Sequence, residues 1–364
     1  MRTITAAQLL ERLDRDQVTY LLDVRSPEEF DNWHIDGAVN LPLAELPHHL
    51  NRIPRSAEVF TICAAGARSA SAAQLLEQRF FDATSVEGGM AAWANVYDQA
   101  ERSVGRATIV QVRRRGKGCF GYVVGAAGAC VVIDPSIAIE RYQQVAAARG
   151  WRIVSVVDTH LHADHLSGAR LLADAEEVPY YLGADEPVHF AHTPMPERIV
   201  LGSGEYVATI KPLAAPGHTM GSTMLLVEGS ALLTGDTLFL DGVGRPDLAE
   251  KAAEFAANLY TSIHAHTDDL GDDVAVLPAH VGTGVEVLPG VITTETLGAL
   301  RWRLAPLTWP KDQFIAWAAS QAKDRPPNYQ QIVIANQGDR AESLADLGDL
   351  EVGPNRCAVV AQPG

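Results

Sequence analysis

Residues 159–165 read Thr-His-Leu-His-Ala-Asp-His and place three histidines and one aspartate close together. Imidazole nitrogens and carboxylate oxygens are ligands for zinc and iron. Because such groups are costly to bury without a partner, a hydrophobic core rarely collects them. A strand pattern over Arg152–Asp158 precedes the cluster, and a helical pattern over Leu166–Ala175 follows it. The segment therefore predicts a metal site in a loop between a strand and a helix.

Three later segments offer further metal ligands, each in a turn or at the end of an apolar strand pattern. They are His218 in Pro-Gly-His-Thr, Asp236 in Leu-Thr-Gly-Asp-Thr and His280 in Leu-Pro-Ala-His. A single residue of this kind is usually a cap or turn residue. Four segments in the order His-x-His-x-Asp-His, His, Asp, His instead indicate one metal centre. Four other histidines fall outside this order and are expected to be surface or structural residues: His189, His192, His264 and His266.

A second reactive segment reads Cys-Ala-Ala-Gly-Ala-Arg-Ser over residues 63–69. A cysteine just before a helix faces unpaired backbone N–H groups and the positive end of the helix dipole, which lower the pKa of its thiol. Small residues let the backbone curl around an anion, and the arginine adds a positive charge. We therefore expect Cys63 and Arg68 to be catalytic, in a loop that also contains Ala64, Ala65, Gly66, Ala67 and Ser69. The alternative is a buried structural cysteine before an alanine-rich helix.

The composition of the whole chain limits the classes of protein to which it can belong. Its 364 residues are sufficient for two or three domains. A formal net charge of −16 argues against nucleic acids and anionic membranes as partners. No apolar run is long enough for a transmembrane helix, and Met1–Arg12 has the pattern of an amphipathic helix rather than of a secretory signal. We expect a cytoplasmic protein with four reduced cysteines: Cys63, Cys119, Cys130 and Cys357.

Short strands alternate with helices in the first part of the chain, which favours a small parallel α/β domain over residues 1–100. Its predicted elements are strands over Tyr20–Val24, Val59–Ile62 and Ala83–Val86 and a helix over Arg68–Arg79. The polar stretch Tyr97–Arg106 is predicted to be a linker.

The second domain is predicted over residues 107–296, where several strands precede the first long helix. This order favours an α/β sandwich rather than a doubly wound sheet. The predicted elements are a strand from Ala107, a hairpin over Tyr122–Asp134, a helix over Ala138–Arg149, strands over Tyr206–Pro212, Thr223–Val227, Ala231–Thr234 and Val274–Leu277, and a helix over Ala249–Ala265. Residues 297–364 are expected to pack on this domain as a C-terminal extension, with a core completed by Trp302, Trp309 and Trp317, followed by a turn-rich Asp324–Tyr329.

Four segments of the first domain together resemble a single-domain rhodanese. They are Asp23-Val-Arg-Ser-Pro-Glu-Glu-Phe30, His34-Ile-Asp-Gly-Ala-Val-Asn40, the Cys63 loop and Gly88-Gly-Met-Ala-Ala-Trp93. The resemblance covers residues 1–96 and implies that Cys63 carries sulfane sulfur as a persulfide. Four residues separate Cys63 from Arg68, one fewer than in related phosphatases, which favours the smaller cradle of sulfur transfer. The residues interpreted as holding the fold are Asp23, Arg25 and His34.

The metal-ligand segments resemble the metallo-β-lactamase superfamily over Ala107–Leu288. The resemblance implies an αββα sandwich with metals at one edge, and two arrangements of the metals remain open. In the first arrangement, two metals are each bound by one group of residues, and Asp236 bridges the two metals. Such a pair of metals suits hydrolysis. The first group is His160, His162, His218 and Asp236, and the second is Asp164, His165 and His280. Alternatively, one iron with free positions for a substrate and O2 would be bound by His160, His218 and Asp236.

Residues 237–248, which include Gly244-Arg-Pro-Asp247, resemble the persulfide dioxygenase branch of this superfamily. The resemblance implies one Fe(II) per chain, bound by His160, His218 and Asp236. The polar residues that would surround the iron without binding it are His162, Asp164, His165 and His280. Arg245 is a candidate for binding a substrate carboxylate, or it forms an ion pair with Asp247.

Together the two resemblances imply an enzyme of sulfur metabolism. It would oxidise a low-molecular-weight thiol persulfide to sulfite with O2 at the iron, and exchange sulfane sulfur among persulfide, thiosulfate and sulfite at Cys63. One alternative is a dinuclear zinc thioester hydrolase, similar to glyoxalase II, beside a sulfur-handling domain. A second alternative is a non-enzymatic sulfur carrier or sensor with a structural metal. No nucleic acid or membrane is expected as a partner, and a homodimer is one compatible oligomeric state.

Overall fold

The computed structural model describes residues 1–18, 20–203, 206–246, 251–282, 285–321, 328–338, 347–353 and 358–360. The chain divides into two compact units. The smaller unit is built on Met1–Asp98, together with Arg114–Lys117. The larger unit is built on Gln99–Arg113 and Gly118–Leu350. The domain boundaries expected at residues 100, 107 and 297 stay a prediction.

The smaller unit contains one parallel sheet with helices around it. Its strands are β1 (Arg2–Ile4), β2 (Tyr20–Asp23), β3 (Val39–Asn40), β4 (Glu58–Ile62) and β5 (Asp82–Val86), in the order β1-β5-β4-β2-β3. Its helices are α1 (Ala6–Leu13), α2 (Pro27–Asn32), α3 (Ala67–Gln78) and α4 (Gly89–Trp93), with 3-10 turns at Leu46–His48 and Leu50–Arg52. The predicted parallel α/β domain is therefore confirmed, and its predicted strands and helix are correct to within one residue at each end.

The start of the chain differs from the helix expected from Met1. Arg2–Ile4 forms β1, which pairs in parallel with β5, and the helix begins only at Ala6. Thr5 separates the two elements, because its hydroxyl accepts the Gln8 N–H while the Gln8 side chain accepts the Thr5 N–H. This capping box satisfies backbone donors at the helix start and stabilises that starting point.

A buried ion pair holds the turn after β2. The Arg25 guanidinium donates to both carboxylate oxygens of Asp23 at 2.7–3.0 Å and to the Trp33 carbonyl at 2.6 Å. Both charged side chains are buried, and buried charges are stable only when paired in this way. His34 is exposed, stacks on Phe30 and contacts the Phe30 carbonyl through Nδ1. These contacts agree with the interpretation of the three residues as holding the fold.

The larger unit contains two sheets. The first consists of β6 (Tyr97–Val104), β7 (Ala107–Arg114), β8 (Cys119–Ala126), β9 (Ala129–Ile133), β10 (Arg152–Val157), β11 (Tyr180–Leu182) and β12 (Thr193–Pro194), in the order β12-β11-β10-β9-β8-β7-β6. The second consists of β13 (Ile199–Leu201), β14 (Ala208–Ala214), β15 (Thr223–Val227), β16 (Ala231–Gly235), β18 (Ala275–Pro278) and β19 (Glu295–Thr296), in the order β13-β14-β15-β16-β18-β19. A separate ribbon pairs β17 (Gly242–Gly244) with β20 (Ala358–Val360).

Helices cover the two sheets. They are α5 (Ile139–Ala148), α6 (Ala169–Glu176), α7 (Ala252–Thr267), α8 (Leu297–Arg303), α9 (Lys311–Ser320) and α10 (Tyr329–Gln337). Helices α5 and α6 pack against β10 of the first sheet. Ile133 of the first sheet, Leu232 of the second and Leu259 of α7 belong to one buried hydrophobic cluster. The two sheets therefore pack face to face, and the predicted αββα sandwich is confirmed.

The segment predicted to be a linker is a strand. Tyr97–Val104 forms β6, the edge strand of the first sheet, with β7 as its neighbour. Within β6 the buried residues are Ala100 and Val104, while the other six are partly or fully exposed. Because an edge strand needs little apolar surface, its polar composition resembles that of a loop.

The C-terminal extension differs from expectation at one tryptophan. Trp317 packs against the hydrophobic cluster and meets Trp309 edge to face, with ring centroids 5.6 Å apart. Trp302 is 89% exposed, so the prediction that it completes a core is wrong. It lies on the solvent side of α8, whose buried residues are Leu297 and Leu300. In the part of the chain that the structure describes, no helix is long and apolar enough to cross a membrane.

Some predictions lie outside the described residues. They concern Asp247, Cys357, residues 249–250 of the predicted helix and residues 324–327 of the predicted turn. The described part of that helix is α7, which begins at Ala252 and ends at Thr267. The other three cysteines, Cys63, Cys119 and Cys130, are free thiols.

Candidate active sites

The thiol loop connects β4 to α3 and curls around the sulfur of Cys63. Cys63 Sγ is buried, accepts the Gly66 N–H at 3.1 Å and lies 3.5 Å from the Ser69 hydroxyl oxygen. Gly66 has a φ of +99° and precedes the first residue of α3, a conformation that favours glycine. Of the other loop residues, Ala67 starts the helix, and Ala64 is fixed through its carbonyl. Ala65 is exposed, so the loop is open to solvent on that side.

Hydrogen bonds make the Cys63 thiol more acidic than an ordinary thiol. Burial alone would raise the pKa of Cys63, but the Ser69 hydroxyl and backbone N–H groups of the loop outweigh it and lower the pKa. A lower pKa increases the fraction of thiolate, which is the nucleophile. The Ser69 hydroxyl is itself held, since it donates to the Gly66 carbonyl at 2.9 Å and accepts from buried Ser85 at 3.0 Å. Sequence patterns contain no signal for the contribution of Ser85.

The Gly88-Gly89 motif places the start of α4 against the thiol loop. The Met90 N–H donates to the Cys63 carbonyl at 2.7 Å, and the Ala91 N–H donates to the Ala64 carbonyl at 3.0 Å. A Cβ atom on Gly89 would lie 2.2 Å from the Cys63 carbonyl oxygen, and the residue has a φ of +56°. Only glycine allows α4 to approach the loop this closely. The motif therefore positions the backbone of the reactive cysteine.

Arg68 forms an ion pair with Glu29 beside the loop. Its Nη1 and Nη2 donate to the two carboxylate oxygens of Glu29 at 2.8 and 2.6 Å. The hydrogen bond with Arg68 is the main reason that the pKa of Glu29 falls to about 2, so this carboxylate is ionised at neutral pH. The sequence interpretation included no role for Glu29, although Ser26 and Glu29 have the spacing of a capping box.

The metal-ligand segments converge at one edge of the sandwich. His160 lies in the loop after β10, His218 between β14 and β15, and Asp236 directly after β16. The Nε2 atoms of His160 and His218 lie 3.7 and 3.4 Å from Asp236 Oδ2, and ligand atoms of the three residues all lie within 4.8 Å of one another. All three side chains are buried. These are the separations that a single ion bound by all three groups requires.

Three buried atoms of these residues have no hydrogen-bond partner: His160 Nε2, His218 Nε2 and Asp236 Oδ1. The other oxygen of Asp236, Oδ2, is the one that lies near both imidazoles, and it also lies 3.1 Å from His280 Nε2. The opposite ring nitrogens are bonded: His160 Nδ1 lies 3.0 Å from the Thr159 hydroxyl, and His218 Nδ1 lies 3.1 Å from the Arg245 carbonyl. Because a carbonyl only accepts, Nδ1 of His218 carries the proton and its Nε2 lone pair is free to bind a metal.

Electrostatics leave the three groups in the protonation states of metal ligands. Burial lowers the pKa values of His160 and His218, which keeps both imidazoles neutral. Burial alone would raise the pKa of Asp236, but the neighbouring His280 and His160 outweigh it and lower the pKa. Two neutral imidazoles and one carboxylate therefore face the same point.

The other four polar residues of the cluster are satisfied within the chain. His162 Nε2 lies 3.2 Å from Asp134 Oδ1, and His165 Nδ1 lies 3.0 Å from Asp164 Oδ1. His280 Nε2 lies 3.1 Å from Asp236 Oδ2 and packs on the Phe239 ring. Sequence reasoning missed their partners Asp134, Asp158 and Cys119, of which Cys119 lies 3.3 Å from Asp164 Oδ2. No spacing in the sequence links them to the histidine cluster.

Arg245 and the remaining histidines have separate surroundings. Arg245 is buried, and its expected ion pair would involve Asp247, which lies outside the described residues. None of the other histidines takes part in the metal-ligand groups found among the described residues. His264 contacts Asp268, and His266 contacts the Ala214 carbonyl. His189 is exposed, and His192 is partly buried.

Comparison with known families matches two separate parts of the chain. Residues 5–96 match the family model of the rhodanese-like domain, and residues 114–281 match that of the metallo-beta-lactamase superfamily. Both resemblances predicted from the sequence are confirmed.

Three curated relatives each match part of the chain. The human mitochondrial persulfide dioxygenase ETHE1 is 31% identical over 170 residues, covering 44% of this chain and 63% of that protein. The hydroxyacylglutathione hydrolase of Alkalilimnicola ehrlichii is 37% identical over 114 residues, covering 31% and 44%. The putative sulfurtransferase YtwF of Bacillus subtilis is 33% identical over 93 residues, covering 26% and 90%. The chain thus spans less than two thirds of the length of the first two.

Proposed function

We propose that this chain, which belongs to the rhodanese-like family over residues 5–96 and to the metallo-β-lactamase superfamily over residues 114–281, oxidises thiol persulfides and transfers sulfane sulfur. In this proposal one Fe(II) is bound by His160, His218 and Asp236, and a low-molecular-weight persulfide is oxidised to sulfite with O2. Cys63 carries sulfane sulfur as a persulfide and exchanges it with thiosulfate and sulfite. The similarity to a persulfide dioxygenase and to a sulfurtransferase supports this combination.

The single observation that carries the metal assignment is the set of three buried atoms without partners. His160 Nε2, His218 Nε2 and Asp236 Oδ1 have no hydrogen-bond partner, and the two imidazole atoms lie 3.7 and 3.4 Å from the other oxygen of Asp236. By contrast, His162, Asp164, His165 and His280 find partners within the chain. A buried polar atom without a partner is costly, so these three atoms fit a bound cation. Two imidazoles and one carboxylate suit ferrous iron, which when bound supplies the O2 chemistry that side chains lack.

The chain's own residues would prepare and orient these ligands. The Arg245 carbonyl fixes the tautomer of His218, and Thr159 contacts the outer nitrogen of His160. Burial of the cluster excludes water from the ligands. We assign to the Arg245 guanidinium the binding of a carboxylate on the persulfide carrier, because arginine binds carboxylates through two parallel hydrogen bonds.

Sulfur transfer at the thiol loop would be a displacement. The Cys63 thiolate attacks the outer sulfur of thiosulfate, a bond forms between Sγ and that sulfur, and the S–S bond breaks with its electron pair leaving on sulfite. The reverse reaction returns the sulfane sulfur of the Cys63 persulfide to sulfite and regenerates the thiolate. The Gly66 N–H, which donates to Sγ, stabilises the negative charge of the thiolate, and the Ser69 hydroxyl oxygen lies 3.5 Å from the same sulfur. Sulfite, the product of the oxidation, is thus an acceptor for the transfer.

A dinuclear zinc thioester hydrolase is the second candidate function. The relative that is 37% identical is a hydroxyacylglutathione hydrolase, and the full set of seven His and Asp residues is sufficient for two metals. The internal contacts of His162, Asp164, His165 and His280 favour the single metal. A non-enzymatic sulfur carrier or sensor remains the third candidate and predicts no turnover.

Metal content and O2 uptake together test the proposal. The full chain is analysed for bound metal as purified, and is then loaded anaerobically with Fe(II) and mixed with glutathione persulfide in an oxygen electrode. The proposal predicts one iron per chain and one O2 consumed for each sulfite formed, with O2 uptake unchanged in Cys63→Ser. Two zinc ions per chain together with hydrolysis of a glutathione thioester would instead establish the hydrolase. Bound iron without O2 uptake on any persulfide would contradict dioxygenase activity.

A further inference from the structure

The charge of Arg68 is already matched by a carboxylate that the fold holds in place. Glu29 is the third residue of α2, and its Oε2 accepts the Ser26 N–H at 3.0 Å while its own N–H donates to the Ser26 hydroxyl at 3.2 Å. The carboxylate therefore keeps its position without help from Arg68. The same Oε2 accepts Arg68 Nη1, and Oε1 accepts Nη2. Exposed ion pairs generally contribute little to stability. An ion pair joined by two parallel hydrogen bonds, with one partner already held in place, contributes more.

This pairing weakens the electrostatic attraction of the thiol loop for anions. The guanidinium and the carboxylate cancel each other's formal charge beside the loop, so the positive end of α3 and the loop N–H groups carry the remaining attraction. The charge of Arg68 also interacts with the reactive thiol, although more weakly than with Glu29. Because Arg68 interacts with both Glu29 and Cys63, we infer that an anion that approaches Cys63 also approaches the fixed negative charge of Glu29. The more charge a donor carries at its reacting end, the larger this repulsion becomes.

We propose that Glu29 is a specificity-determining residue, which disfavours doubly charged sulfur donors at Cys63 and favours persulfides with a single charge at the reacting end. The inference rests on the proposed sulfur transfer at Cys63 and names the class of donor. Thiosulfate brings two negative charges to the loop, whereas an organic persulfide anion, R–S–S⁻, brings one to the reacting sulfur. In transfer from the persulfide, the Cys63 thiolate bonds to the outer sulfur and the thiolate R–S⁻ leaves with the electron pair. Charge and atoms balance in this step without any oxidant.

Glu29→Gln tests the role of the charge with little change of shape. Glutamine also serves at the third position of a capping box, so α2 and the position of residue 29 are retained. Glu28→Gln is the matched control, because it removes the same charge from the neighbouring, exposed residue of the same helix turn. Alkylation of Cys63 by iodoacetate, an anion, and iodoacetamide, which is neutral, measures the effect independently of sulfur transfer. Mass spectrometry of the Cys63 peptide separates this thiol from the other cysteines.

The two rates are compared at a pH where Cys63 is ionised in every variant. Glu29→Gln is expected to raise the iodoacetate-to-iodoacetamide rate ratio by about three- to tenfold, the scale of the interaction between two charges in partly solvated surroundings. Glu28→Gln is expected to change the ratio by less than about twofold. An unchanged ratio in Glu29→Gln, or an equal rise in Glu28→Gln, would overturn the proposal.

Persulfidation by two sulfur donors tests the preferred class of donor and, separately, sulfur transfer at Cys63 itself. Persulfidation of Cys63 is followed in single turnover with thiosulfate and with glutathione persulfide, and Glu29→Gln should accelerate the first reaction more than the second. Equal acceleration would overturn the assignment of donor class. If neither donor modifies Cys63 in the unsubstituted chain, sulfur transfer at Cys63 is refuted, while the alkylation ratio still decides whether Glu29 controls access of anions.

Discussion

The thiol loop and the metal centre place their reactive groups by different means. In the loop, the group that contacts Cys63 Sγ most closely is a backbone N–H, and its position depends on the positive φ of Gly66 and on the approach of α4. In the metal centre, every candidate ligand is a side chain, delivered by segments that are far apart between residues 160 and 236. The first site therefore depends on main-chain geometry over a few residues, and the second on the register of strands that end at one edge.

This difference determines which substitutions each site tolerates. Exposed Ala65 can vary with little consequence for a cradle made of N–H groups, whereas a Cβ atom at Gly89 cannot be accommodated. At the proposed metal centre the chemical identity of each ligand side chain is essential as well. Two glycines with positive φ, Gly217 and Gly235, also directly precede His218 and Asp236. Substitutions chosen by this rule should affect one site and leave the other unchanged.

The largest effect is expected from removing the anionic ligand of the metal centre. Asp236→Asn retains the shape but loses the carboxylate that lies 3.4 Å from His218 Nε2 and 3.7 Å from His160 Nε2. Since loss of a residue that merely supports a ligand costs ten- to a hundredfold in metal affinity, loss of the ligand should cost at least about a hundredfold. Iron titration measures this affinity, and Cys63 alkylation should keep its rate. Asp268→Asn, which removes the exposed partner of His264, is the control and should retain the metal.

Gly89→Ala should give the second largest effect, confined to the smaller unit. The added methyl would overlap the Cys63 carbonyl oxygen at a residue with positive φ, so we expect a loss of about 2–4 kcal/mol in unfolding free energy. Gly37→Ala is the control, since Gly37 also has a positive φ but a Cβ there meets nothing within 4 Å. It should cost about 1 kcal/mol. Hydrogen exchange of peptides from residues 1–96 in urea measures both, and equal losses would show that contact with the loop is unimportant.

The smallest effect is expected at a side chain that assists the thiol loop. Ser69→Ala removes a hydroxyl 3.5 Å from Cys63 Sγ that helps to lower the pKa of this thiol. The pKa should therefore rise, which shifts the midpoint of the pH-dependent alkylation rate upward. Ser71→Ala is the control, because Ser71 is exposed in the same helix and its hydroxyl bonds only the Ala67 carbonyl among the described contacts. A midpoint shift of similar size in both variants would argue against a direct contact with the thiol.

The same comparison explains what could be predicted from the sequence. Cys63, Arg68 and the two supporting glycines lie in short motifs, so the position of the thiol loop between β4 and α3 followed from local patterns. The order of the histidine and aspartate segments along the chain predicted one metal centre, because each segment follows a strand end. The choice of His160, His218 and Asp236 among its seven residues came from the resemblance to persulfide dioxygenases. The roles of Glu29, Ser85 and Cys119 depend on contacts between distant segments, and no local spacing contains that information. Strand β6 was missed because a polar edge strand has the composition of a loop.

The hydrogen bond between His218 and residue 245 has a consequence for how this protein could change over evolutionary time. His218 Nδ1 contacts the main-chain carbonyl of Arg245, which every amino acid supplies. A substitution at residue 245 that preserves the backbone therefore keeps this hydrogen bond and the orientation of the imidazole. Under the proposed role of the Arg245 side chain, the same substitution changes recognition of the substrate. The geometry of the metal ligand and the selectivity for the substrate can therefore evolve independently at residue 245.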